Sequence, residues 1–370
     1  MKCAAGGVKQ ESMYLWGRDW TRHELEERIG SSSQLGGIAR FKYCDGKARG
    51  VSALRVRTAA GLEFWVLPER GLDIFEATFQ GKSLCWHSPA GLSHPAYYSP
   101  LEAEWLKTFP GGLLTTCGLT TAGSPSLDLG QQLGLHGSIS NTPAEHVSWD
   151  EQWENDELML RVHGRTRESS VFGYNLVNRR EIRTTLSSRS IHISDCVVNE
   201  GSEAAPFMLI YHCNFGFPFL SDRSRIYCKS KFVEGRTEFA RSYIGSWHTF
   251  GLPEASIEER CYYHQIDSDD DGNSHILIID DDRTRGLGVE MTFASASLPR
   301  FVEWKSVKPK HYVWGLEPSN CKADGRRKER EDGTLRCLGP GESARMELII
   351  RILGEKKEIE SAIVSCGGNA

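Results

Sequence analysis

An all-β fold is what this sequence predicts, and three observations predict it. Apolar and polar residues alternate in many short runs, the pattern of strands with one buried face. Glycine and proline, 37 and 14 residues, are spread between those runs as turn punctuation. Helix signals are few. Together these point to large antiparallel sheets forming a sandwich or barrel, with a few short helices.

Taken in order, Met1–Gln10 has no apolar stretch after Lys2 and does not read as a secretory leader. Thr21 with Glu24 forms a capping box, followed by Leu25 and Ile29 on one face and Gly30 as a stop. Asp45-Gly46 is a turn. Ser99-Pro100-Leu101-Glu102 predicts a short helix running to about Lys107. Strands are expected at Leu158–Val162 and Ile191–Asp195, and where Met346, Leu348, Ile350 and Ile352 share a face. Asp267–Gly272 starts with the acid spacing of a calcium loop. Ile278, however, occupies the position that needs a bidentate glutamate, so a solvated hairpin turn is expected. The mixed charges of Arg326–Asp332 read as an exposed loop, with Asp332-Gly333 as a turn, and Glu355–Ala362 as a final helical turn or two.

Residues 1–370 are expected to form a single domain, with 1–14 as an N-terminal arm, because no low-complexity linker or fixed-period repeat divides the chain. Forty-four basic against 49 acidic side chains leave a net charge of −5, which does not suit a nucleic-acid partner. No apolar run approaches the roughly 20 residues needed to cross a bilayer, so no membrane partner is expected. The eleven cysteines are scattered and none lies in a C-x-x-C, which predicts reduced thiols in a cytoplasmic protein. G-x-S-x-G, G-x-G-x-x-G, P-loop and H-E-x-x-H patterns are all missing, so covalent, redox and nucleotide-driven chemistries have no support.

Three segments combine ionisable groups with glycine or proline in strand-like surroundings. In Leu133–Ser138, alternation puts Gly134 and His136 on one face. In Pro206–Gly216, an apolar strand ends with His212 and Asn214 on one side. In His311–Asn320, Gly315 and Glu317 share a face, the glycine leaving room beside the carboxylate, and Pro318 keeps Glu317 extended. A strand-end histidine is most often a satisfied, half-buried residue, and aromatic residues are more often core than ligand-facing. The spacing itself reaches a concave sheet lined by a carboxylate, histidines and aromatics, suited to acid–base work on a polyol.

The chain resembles the aldose 1-epimerase (galactose mutarotase) superfamily, and within it a largely uncharacterised bacterial branch. The resemblance runs from about Trp16 to Leu353. Its motifs are Leu67–Ile74, Gly111–Leu119, Gly134–Gly137, Tyr211–Gly216 and Gly315–Asn320. It implies a β-supersandwich, with Glu317 as general base, His212 as general acid and His136 contacting the sugar. It also implies anomer interconversion of a small-molecule carbohydrate, no cofactor, no metal, and a monomer or homodimer. Better-known mutarotases carry an arginine before the first histidine. Here the comparable stretch, Gly112–Cys117, has none. Arg70 and Lys305 are the candidate replacements, with Asp73, Asn214 and Trp304 as further substrate-binding candidates. Arg70 and Asp73 read equally well as a structural ion pair. The substrate stays open, as do two other readings: a different isomerase, epimerase or lyase reaction on a modified sugar, and carbohydrate binding without catalysis.

Overall fold

The computed structural model describes residues 13–280 and 286–368. Residues 1–12 of the expected arm lie outside them, and Met13–Leu15 already pairs with Arg18–Trp20. The protein is built from three large antiparallel sheets. The first has five strands, Gly37–Lys42, Ser52–Arg57, Leu62–Leu67, Asp73–Phe79 and Lys82–Ser83, in sequential order. The second has eight, in the order Glu145–Glu154, Glu157–Ser169, Asn175–Thr185, Ser190–Asn199, Ser343–Leu353, Leu287–Ala294, Asn273–Asp280, Arg225–Tyr227. The third has six: Ser230–Gly235, Arg260–Ile266, Arg300–Lys308, His311–Ser319, Met208–Gly216, Thr115–Leu119.

Alternation decides which face each strand buries. Ile191, Ile193 and Val197 point inward from one strand of the eight-stranded sheet, and Met346, Leu348, Ile350 and Ile352 from its neighbour. They pack against the inner face of the six-stranded sheet, where Tyr211, Cys213, Phe215, Trp314, Leu316 and Phe301 are buried. Met208–Gly216 is buried along its whole length. Both its faces are therefore covered, which is why it reads as a near-continuous apolar run. Its outward face, opposite the main core, carries His212.

Two expectations are corrected. Ser99–Lys107 does not form the predicted helix but only a single 3-10 turn at Glu104–Lys107. The carbonyl of Glu102 accepts the Leu135 N–H, and Glu102 has φ +44°, so the segment lies along its neighbour instead of coiling. Arg326–Glu331 is a helix and not an exposed loop. Helical spacing puts Arg326 and Arg330 on one face, where both donate to Asp128, and the buried Glu329 carboxylate accepts from Lys322 N and Thr334.

The other local readings agree with the structure. The Thr21–Glu24 capping box is formed, though the helix closes at Glu26 because the Arg28 side chain takes the Glu24 carbonyl. The last helix is Lys356–Ser365, with a box between Glu355 and Glu358. The acidic run is a turn: the Asp269 carboxylate accepts the Asp271 and Asn273 N–H groups and meets His275.

Candidate functional site

On the outward face of the six-stranded sheet, His212 lies opposite Glu317, in the register that pairs Ile210 with Ser319 and Cys213 with Leu316. Their side chains meet at 3.3 Å, Nε2 to Oε1, with Glu317 2% and His212 5% exposed. Gly315 makes this contact possible. A Cβ there would stand 2.9 Å from Glu317 Oε1, 3.1 Å from Trp304 Cε3 and 3.3 Å from His212 Cε1.

Aromatic side chains wall the pair. Trp304 and Phe109 each lie 5.4 Å from the His212 ring, His136 5.6 Å, and Trp105 4.7 Å from His136. His136 comes from a loop with φ +58°, held by its N–H to the Gly123 carbonyl and its carbonyl to the Gly118 N–H. The Nδ1 atoms of His136 and His212 are buried without hydrogen-bond partners, as is Asn214 Oδ1. Buried polar atoms are nearly always paired with protein or with water, so these atoms are open to water or to a ligand.

Desolvation dominates the electrostatics. It pushes the Glu317 carboxyl well above the usual carboxylate range, an effect that the Arg236 charge opposes and Glu259 reinforces. It pulls His212 down to about 4 and His136 well below the ordinary imidazole range, the latter assisted by repulsion from His212 and Arg236. Burial disfavours charge on both members of the pair, which favours a single shared proton, held on the carboxyl. A hydrogen-bonding ligand can move that proton across the contact. An acid and a base 3.3 Å apart, inside an apolar wall, suit coupled proton transfer.

Of the residues singled out in the sequence, Glu317, His212, His136, Asn214 and Trp304 come together here. Asn214 is on the His212 face, with its Nδ2 donating to the Gly112 and His212 carbonyls. Lys305 does not join them. It follows Trp304 in a strand and so faces the opposite side, fully buried, its Nζ donating to the carbonyls of Ser246, Trp247 and Thr249 and lying 3.4 Å from Glu303.

Arg70 and Asp73 are also interior, and they do not form a turn ion pair with each other. Arg70 donates to the Ser93 and Thr108 carbonyls, which anchors the loop that delivers Phe109. Asp73 accepts from Thr116 N and Oγ1 and pairs with Arg180; burial nonetheless pushes it up to about 6.

Tyr263 and Arg236, which the sequence did not single out, lie on the same outward face: Tyr263 is in the row of Glu317 two strands away, and Arg236, just after the strand Ser230–Gly235, donates its N–H to the Cys261 carbonyl. Both are far from Glu317 in sequence and come to this face only through sheet register. Among the described residues no group of three or more His, Cys, Asp or Glu side chains is placed to hold a metal ion. Likewise no helix is long and apolar enough to cross a membrane.

Three large antiparallel sheets with a few short helices define the class: an all-β, galactose mutarotase-like fold. The chain belongs to DUF4432, a domain family of unknown function whose profile matches residues 48–352. Among solved structures it is similar to a provisionally assigned aldose 1-epimerase from Klebsiella pneumoniae. That match has TM-score 0.85 and 25% identity, covering 94% of this chain and 95% of that one. A galactose mutarotase-like protein from Clostridium acetobutylicum matches with TM-score 0.57 and 16% identity, over 86% of this chain and 99% of that one. A galactose 1-epimerase from Lactobacillus acidophilus matches with TM-score 0.56 and 12% identity over the same shares. The last two show likeness of fold alone. No curated protein matches the chain.

Proposed function

We propose that the protein is an aldose 1-epimerase-type enzyme that interconverts the α and β anomers of a free sugar. The observation that carries this reading is the buried 3.3 Å contact between Glu317 and His212 within an aromatic wall. Glu317, as carboxylate, removes the proton from the anomeric hydroxyl. His212, as imidazolium, delivers one to the ring oxygen. The C1–O5 bond breaks as C1=O forms, and rotation about C1–C2 followed by reclosure with the two transfers reversed gives the other anomer. The anomeric hydroxyl, hydrogen-bonded to Glu317, favours the ionised carboxylate and so draws the shared proton onto His212. His136, Asn214 and Trp304 bound the ring: the imidazole Nδ1 and the amide oxygen as polar partners, the indole as an apolar face.

Each positioned proton transfer contributes about 10²- to 10⁴-fold. The test is NMR exchange spectroscopy between anomers over a panel of neutral, acidic and deoxy sugars. Wild type should give enzyme-dependent cross-peaks on at least one sugar, and Glu317→Gln should lower that exchange by about 10²-fold or more with unchanged folding. Full activity in Glu317→Gln would refute the assignment. A new product in place of the second anomer would shift the reading to another isomerisation.

A further inference from the structure

Register across the six-stranded sheet carries the site beyond its acid–base pair. From edge to edge, Thr115, His212, Glu317, Val302, Tyr263 and Glu234 form one row on the outward face. The next row contains Asn214, Gly315, Trp304 and Cys261, and is extended by Arg236, whose N–H donates to the Cys261 carbonyl. Tyr263 is therefore two strands from Glu317, about 9.5 Å at ordinary strand spacing, the reach of one sugar ring with its exocyclic groups.

Tyr263 is 7% exposed and its hydroxyl has no hydrogen-bond partner, although Asp324 and Arg236 are its neighbouring charges. Arg236 donates through Nε to Asp324 at 2.9 Å and through Nη2 to Ser124 at 2.6 Å, and its Nη1 has no partner among the described residues. Lys322 lies 4.7 Å from the Tyr263 ring centroid and pairs with Glu234 at 3.0 Å. Arg236 also acts electrostatically on both Glu317 and His136.

We infer that Tyr263 and Arg236 form a specificity-determining subsite that reads two neighbouring hydroxyls of a neutral sugar, on the side of the ring away from the anomeric carbon. This rests on the sugar-site reading above and names the substrate class for it. A phenol offers one donor and one acceptor, and the Arg236–Asp324 pair offers the same set side by side, which is what a vicinal diol needs. A phosphate or carboxylate fits poorly. Both cations beside Tyr263 already have carboxylate partners, and Glu259 adds further negative charge near Glu317.

The experiment is a ligand-observed NMR titration of wild type, Tyr263→Phe and Arg236→Lys. The probes are neutral hexoses, each hexose's monodeoxy analogues and the matching uronic acids, with anomer exchange recorded on the same samples. Tyr263→Phe removes one oxygen and should weaken the preferred hexose by about tenfold. One monodeoxy analogue, lacking the hydroxyl that Tyr263 reads, should bind wild type and Tyr263→Phe alike. Arg236→Lys should do the same for the adjacent position, and uronic acids should bind wild type more weakly than neutral hexoses.

Unchanged hexose affinity in Tyr263→Phe overturns the subsite, as does a uniform loss across every analogue or tighter binding of a uronic acid. If wild type exchanges anomers while Tyr263→Phe binds normally, the subsite fails and the epimerase reading stands. If the deoxy pattern appears without acceleration of exchange, the subsite stands and catalysis fails. Absence of binding by wild type across the panel overturns both.

Discussion

The Glu317 and His212 side chains are in contact because residue 315 has no side chain. Gly315→Ala puts a methyl group within 3.4 Å of Glu317, Trp304 and His212 at once. Two of these atoms are ends of side chains that can shift, so the fold should survive. The acid–base geometry should not, and kcat/KM for anomer exchange is expected to fall about tenfold or more.

The same pair fixes the pH profile. It works while it holds one proton. Activity should rise as pH climbs through the range near 4, where His212 gives up the second proton. It should fall only well above the ordinary carboxylate range, where the raised Glu317 carboxyl loses the last one. A kcat/KM profile with its acid limb at the unperturbed histidine value would contradict the assigned environment.

At the scale of the element, the strand Arg300–Lys308 separates two jobs by alternation. Val302 and Trp304 face the site, and Trp304 Nε1 donates to Glu259. Glu303 and Lys305 face the interior, where Glu303 also meets His264 Nε2 and Trp314 Nε1. Lys305→Met strands the Glu303 charge and three loop carbonyls, a loss of about 3–5 kcal/mol. Chemical denaturation should show that loss. kcat/KM measured below the transition should stay within a factor of about two, since Lys305 touches none of the site's side chains. A large activity loss with normal stability would place Lys305 in the chemistry after all. Local sequence located this strand's neighbour well, because Pro318 holds Glu317 extended and Gly315 leaves room beside its carboxyl whatever the fold. It did not say which of two adjacent residues, Trp304 or Lys305, faces the ligand, since a strand's period gives two faces and no sign.

At the scale of the whole molecule, the three sheets meet at one buried polar knot. Arg180 of the eight-stranded sheet forms two hydrogen bonds to Asp195 and reaches Asp73 of the five-stranded sheet, and Tyr211 of the six-stranded sheet donates to Asp195. Arg180→Met should cost about 3–5 kcal/mol by leaving two carboxylates buried and unpaired, read as a lower urea midpoint. An unchanged midpoint would mean the sheets are held by apolar packing alone.

The sequence by itself determined the all-β class, the capping box at Thr21 and Glu24, and the three segments holding His136, His212 and Glu317. Those depend on periods and local stereochemistry that neighbouring residues carry. Tertiary structure alone decided what lies beside them. Sheet register brought in Tyr263 and Arg236 and turned Lys305 away. Burial put Arg70 and Asp73 inside, where interior carbonyls and Arg180 answer their charges. Helical packing on Asp128 turned an apparently solvated charge run into structure. Contacts between strands 50 or more residues apart follow from the lowest-energy arrangement of the whole chain, and no local window of sequence contains that information.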